Sequence, residues 1–63
     1  MPIMLNIGDY VMEVTFHNRN HCYIGEFVGT SKFPTIYGDS IHELEETAHE
    51  YIMEESSNEL RNN

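Results

Sequence analysis

The sequence YGDSIHELEETAHEYI, from Tyr37 to Ile52, decides the fold because it joins a short strand-like run to a helix with a marked start. Its apolar residues recur at intervals of three and four, which places them on one side of an α-helix. They are Ile41, Leu44, Ala48, Tyr51 and Ile52. Ser40 and Glu43 have the S-x-x-E spacing of a capping box, in which each side chain accepts a hydrogen bond from the other residue's backbone N–H. We predict a helix over about residues 40–55 and a polar tail over 56–63.

The residues upstream alternate between apolar and polar positions, and this period of two is typical of β-strands. Strands are predicted at about residues 9–17, 21–28 and 34–37. In the first, the alternation places one set on one face and the other set opposite: Tyr10, Met12, Val14 and Phe16 against Val11, Glu13 and Thr15. In the second, the two sets are Tyr23, Gly25 and Phe27 against Cys22, Ile24 and Val28. The Asn-rich segment 17–20 should form the first turn, because Asn tolerates the positive φ of tight turns. Gly25, inside the second strand, indicates either a bulge or a close approach by another element, for which the crossing helix is the simplest candidate. The fold class is therefore α+β: a single domain, 1–63, with a three-stranded antiparallel β-meander packed by one C-terminal α-helix.

The length of the chain, 63 residues, predicts a small core and marginal stability. A domain of this size buries only about 60% of the surface that its unfolded chain exposes. Such domains are commonly stabilised by disulfides, metals or oligomerisation, and the single cysteine, Cys22, excludes an internal disulfide. Cys22 is expected to be a small buried hydrophobe rather than a reactive thiol. A homo-oligomer or a bound partner is therefore expected.

The charge is strongly acidic, with a formal net charge of −8 and eight of the eleven acids between Asp39 and Glu59. Phosphate backbones and anionic lipids bind clusters of Lys and Arg, so neither nucleic acid nor a membrane surface is an expected partner. The N-terminal residues include no basic region followed by a long apolar run, so neither a signal peptide nor a membrane span is predicted. A cytoplasmic protein is the expectation.

The predicted helix carries a flank of residues that resembles a metal site in composition, formed by His42, Glu46, His49 and Met53. The two histidines are seven residues apart, about 10 Å along a helix, which is too far for direct ligation of one ion. His21 and Cys22 are adjacent in a strand, so their side chains point to opposite faces and form no nucleophile–base pair. No metal, cofactor or enzymatic activity is expected. A metal-dependent or hydrolytic enzyme that uses the His–Glu flank is the alternative from another class.

Four glutamates follow the other side of the same helix at intervals of three and four: Glu43, Glu46, Glu50 and Glu54. Like charges at this spacing destabilise an isolated helix by a few tenths of a kcal/mol each. Two interpretations remain open. The glutamates are either a solvated helical face or a surface that contacts a basic partner.

Two segments of the chain resemble one family. The strand YIGEF, residues 23–27, supplies Tyr23, Gly25, Glu26 and Phe27, and the strand-to-helix turn supplies Gly38, Asp39, Ser40 and Glu43. Together they are similar to the N-terminal domain of HicB-type antitoxins, in which a strand of the type Y-x-A-E-F is followed by G-D-[ST]-x-x-E-A and a helix. The resemblance covers about residues 9–54 and implies a partly RNase H-like β-β-β-α fold without the nuclease residues.

The resemblance implies a role in binding and masking a small basic RNA-cleaving toxin. The expected partner-binding residues are Glu43, Glu46, Glu50, Glu54, Tyr23, Glu26 and Phe27. Residues 28–35, VGTSKFPT, replace the family's usual P-D-L-P-G-C type loop, and no C-terminal DNA-binding region follows the helix, so operator binding is not expected. The alternative function is a small acidic inhibitor, for instance phage-encoded, that blocks a host nucleic-acid-binding or defence protein by charge mimicry.

Overall fold

The chain folds into one antiparallel sheet with a helix on one face. The structure is a computed structural model that describes residues 2–61, with side-chain surroundings for residues 2–57. The elements are β1 (Ile3–Ile7), β2 (Tyr10–His17), β3 (Cys22–Phe27), β4 (Ile36–Gly38) and α1 (Ile41–Arg61). The strands pair in the order β1-β2-β3-β4, which is a meander. The α+β class with an antiparallel sheet and one C-terminal helix is confirmed, but the described sheet has four strands rather than three.

The additional strand is β1, which precedes the three predicted strands. Ile7 lies directly opposite Tyr10, so the turn between β1 and β2 contains only Gly8 and Asp9. Gly8 has a φ of +62°, whereas Asp9 does not have a positive φ. A two-residue hairpin loop with Gly first is the type II′ pattern, whose twist suits antiparallel strands.

The turn between β2 and β3 differs in detail from the prediction. The residue with a positive φ is His21, at +49°, rather than one of the asparagines at 18 and 20. Histidine is among the non-glycine residues that enter this region most often. Consequently β3 begins at Cys22, one residue later than predicted.

The core lies between α1 and one face of the sheet, which we call the inner face. Its buried members come from every element, and they are Ile7, Met12, Val14, Phe27, Ile36, Leu44 and Ala48. The pairing register puts the strand residues of this set on one face, opposite Val11, Glu13 and Thr15. The face assignment predicted from the alternation in β2 is confirmed.

Two glycines let neighbouring side chains approach the backbone. At Gly25 the pairing of β2 with β3 continues without a bulge, and the closest approach comes from the adjacent strand rather than from the helix: a Cβ there would lie 2.8 Å from Met12 Sδ. The close approach of the helix is at Gly38, where a Cβ would lie 3.2 Å from Glu43 Cβ and 3.3 Å from Leu44 Cδ2.

The helix begins as the capping box predicts, with one change of partner. The Glu43 N–H donates to Ser40 Oγ at 3.1 Å. The Glu43 carboxylate accepts from the Asp39 N–H at 3.2 Å, not from the Ser40 N–H. The side chain therefore reaches one residue further back and fixes the turn between Gly38 and the helix.

The helix continues to Arg61, so the predicted polar tail at 56–63 is wrong over residues 56–61, and residues 62–63 lie outside the described part. No Gly or Pro follows Gly38 in the sequence, so no strong helix breaker ends α1 near residue 55. Among the side chains described after Ile52, only Glu55 is partly buried. Residues 53–57 therefore contribute little to the packed core.

Candidate interaction surfaces

The exposed side of α1 carries a row of carboxylates, which we call the acidic row: Glu43, Glu46, Glu50 and Glu54. All four side chains are exposed. From first to last they span eleven residues, or about 16 Å of helix. The core contacts of Leu44 and Ala48 orient α1 so that Glu46, Glu50 and Glu54 point away from the sheet, whereas the Glu43 carboxylate reaches back to the Asp39 N–H.

The acidic row is poorly neutralised by the chain itself. The sequence from residue 33 to residue 60 contains no Lys or Arg. Among the described contacts, His42 Nε2 lies 3.5 Å from Glu46 Oε1, with both side chains largely exposed, and Lys32 Nζ lies 3.4 Å from Glu55 Oε1, which is outside the row. Exposed ion pairs of this kind contribute little. The row therefore presents net negative charge to solvent.

A shallow depression of about 170 Å³ adjoins the acidic row. It is lined by Thr47, Glu50, Tyr51 and Glu54, which lie on one strip of α1. Long basic side chains pack their methylene groups on apolar surface while the charged end stays polar. The Tyr51 ring beside the Glu50 and Glu54 carboxylates offers both kinds of contact to a Lys or Arg side chain.

The β3 residues that were predicted to bind a partner, Tyr23, Glu26 and Phe27, do not lie in the acidic row. Phe27 is buried at 8% exposure and packs against Tyr10 and Phe33, with ring centroids 5.9 and 4.5 Å away. Its side chain is a core group and offers a partner very little accessible surface. Tyr23 is half-buried on the inner face, where its ring centroid is 5.0 Å from that of Phe16. Glu26 is exposed on the opposite face of the sheet.

The face of the sheet opposite α1 forms a second surface, which we call the open face. It carries alternate residues of all four strands: Met4, Val11, Glu13, Thr15, Ile24, Glu26 and Tyr37. Within residues 2–61, no helix covers this face, and Met4 and Tyr37 are 53% and 67% exposed. Glu13 lies directly opposite Glu26. Sequence reasoning missed Met4 and Tyr37 as surface groups; a signal for Met4 was the Gly8–Asp9 turn, which implies a strand before it.

In the part of the chain whose side chains are described, no three His, Cys, Asp or Glu residues converge as metal ligands. The His–Glu flank contributes only the solvated His42–Glu46 contact. Cys22 is half-buried, with a free thiol. The described helix is also too polar to cross a membrane.

Comparisons with protein-family models, with curated proteins and with solved structures find no match to this chain. The HicB resemblance therefore depends on the residues of YIGEF and of the Gly38–Glu43 turn alone.

Proposed function

We propose that this chain is a non-enzymatic, cytoplasmic protein-interaction domain that binds and masks a basic protein, as a HicB-like antitoxin masks a small basic RNA-cleaving toxin. The observation that carries the proposal is the acidic row with its adjoining depression. Like charges kept at helical spacing, with no Lys or Arg between residues 33 and 60 to offset them, cost stability that a basic partner would restore. The motif residues shared with HicB-type domains give the class of partner.

The mechanism is electrostatic masking. A ribonuclease that binds RNA phosphates does so through Lys and Arg clusters, and these are the groups that the acidic row would cover. Complementary charge speeds association and selects the partner, and its effect falls with ionic strength. The Tyr51 depression would fix the register by accepting one basic side chain.

The test compares two double variants that remove the same charge from different faces. Glu50→Gln/Glu54→Gln removes two carboxylates beside the depression, and Asp9→Asn/Glu13→Gln removes two from the β1–β2 hairpin, away from α1. The partner tested is the product of the neighbouring gene, which the proposal expects to be a small basic protein, and the readouts are its dissociation constant and its RNA cleavage. We expect the first pair to weaken binding by about tenfold or more, by analogy with rim and core charges at other interfaces, and the second to change it little.

Equal effects of the two double variants would show that only net charge matters and would contradict the proposed site. A deca-lysine peptide serves as a probe of non-specific attraction, since both variants should bind it with similarly reduced affinity. If the neighbouring product is not basic and the chain instead inhibits unrelated nucleic-acid-binding proteins, the alternative of charge mimicry by a small acidic inhibitor replaces the antitoxin role.

A further inference from the structure

The edge strand β1 has features that most exposed sheet edges lack. The meander leaves two edges, β1 and β4, and β4 has only three residues. By contrast, β1 has five residues, IMLNI, with no charge and no proline. Sheet edges are ordinarily protected by short length, Lys, Pro or a covering element. Ile3 and Met4 are instead 44% and 53% exposed.

The hydrogen-bonding groups of this edge can be assigned from the hairpin. A two-residue turn closes on a hydrogen-bonded pair, here Ile7 with Tyr10, and hydrogen-bonded pairs recur at every second residue. The backbone N–H and C=O groups of Leu5 and Ile3 therefore form hydrogen bonds to β2, as those of Ile7 do. The N–H and C=O groups of Met4 and Asn6 point away from β2, toward the open edge.

The distribution of charge favours a second copy of this chain as the occupant of the edge. Two molecules of net charge −8 repel each other, but segment 2–8 has no charged residue. An antiparallel pairing of β1 with itself therefore brings no like charges directly together. The side chains also match, because Ile3, Leu5 and Ile7 share the inner face, so that in an antiparallel self-pairing apolar residues of one copy lie opposite apolar residues of the other.

We propose that two copies of the chain pair through antiparallel β1 strands about a two-fold axis at Leu5, forming a continuous eight-stranded sheet. In this register Ile3 lies opposite Ile7 of the second copy, and Met4 lies opposite Asn6 of the second copy. The two Met4–Asn6 pairs are the hydrogen-bonded ones, with four N–H···O bonds. The two Leu5 residues form a non-hydrogen-bonded pair at the axis. This dimer does not depend on the basic partner, because the acidic row lies on α1.

The register predicts a specific disulfide. Non-hydrogen-bonded antiparallel pairs have Cα atoms about 4.5 Å apart, within the range that a disulfide spans. In a Cys22→Ser background, Leu5→Cys should give a covalent dimer under mild oxidation at least about tenfold faster than Met53→Cys, because pairing raises the effective thiol concentration. Met53 is 68% exposed on α1 and is the matched control. Equal rates for the two variants would overturn the register.

Leu5 is half-buried, so replacing it also affects the stability of the fold. A second measurement therefore leaves Leu5 unchanged. Sedimentation equilibrium of the unmodified chain should show the mass rising from 7.4 kDa to twice that value with concentration. Met4→Lys should raise the dimer dissociation constant about tenfold by charging the edge, whereas Met53→Lys, with the same change of charge, should not. A monomer at all concentrations up to about 1 mM would overturn the dimer. A dimer weakened equally by both variants would overturn the β1 interface.

Discussion

Glu13 and Glu26 face each other across β2 and β3 on the open face, and this pair makes a single-residue prediction. Like charges directly opposite are destabilising, and opposite charges contribute roughly 0.2–1 kcal/mol. Glu26→Lys should therefore raise the free energy of unfolding by about 0.5–1 kcal/mol, measured by urea denaturation. Glu26→Gln removes only the repulsion and should give a smaller gain. A loss of stability in both variants would mean that Glu26 contributes a favourable contact.

Individual residues also show which features the sequence alone does not predict. The alternation in β2 and β3 predicted which residues share a face, and hence that Phe27 and Tyr23 lie together on the side opposite Cys22 and Ile24. It did not predict that Phe27 is a core residue, because its burial depends on Phe33 from the following loop. Nor did it give the neighbour of Gly25, which is a side chain diagonally placed on the adjacent strand.

At the scale of elements, the start of α1 gives the second prediction. Ser40→Ala removes the acceptor of the Glu43 N–H, and losing such a cap costs about 1 kcal/mol. Ser40→Asp should retain most of the stability. Ser57→Ala, at an exposed position inside the helix, is the control and should be neutral or slightly stabilising. Similar losses for Ser40→Ala and Ser57→Ala would contradict the capping role.

The accuracy of the predicted boundaries differs from one element to another. Those with a clear period, β2, β3 and the first turns of α1, were predicted to within one or two residues. The strand β1 was missed because IMLNI is nearly all apolar and shows no alternation, so only the Gly8–Asp9 turn marks it. The end of α1 was placed too early because weak periodicity does not stop a helix when no breaker is present. The acidic row was predicted correctly as an exposed helical side, but its contact with a partner is a property of two molecules that one sequence does not determine.

At the scale of the whole molecule, the proposed contacts at the β1 edge and at the acidic row can form at the same time. The proposed pairing uses the edge of the sheet, and the acidic row lies on α1, so a dimer would keep both rows accessible. Since both helices pack on the inner face, the dimer would present two acidic rows on one side and a doubled open face on the other. A dimer could then bind two basic partners at once.

The charge of the whole molecule gives the last prediction, which concerns salt. A net charge of −8 destabilises the compact state through self-repulsion, and salt screens it. Raising NaCl from about 20 to about 500 mM shortens the Debye length from roughly 20 Å to roughly 4 Å, so the Tm should rise. The double variant Glu46→Lys/Glu50→Lys changes the net charge from −8 to −4. Because its self-repulsion is weaker, its Tm should rise less with added salt. Protomer concentration must be fixed, because dimer formation also shifts the Tm. Equal responses of the two proteins would mean that the salt acts through surface hydration rather than through repulsion among the carboxylates of α1.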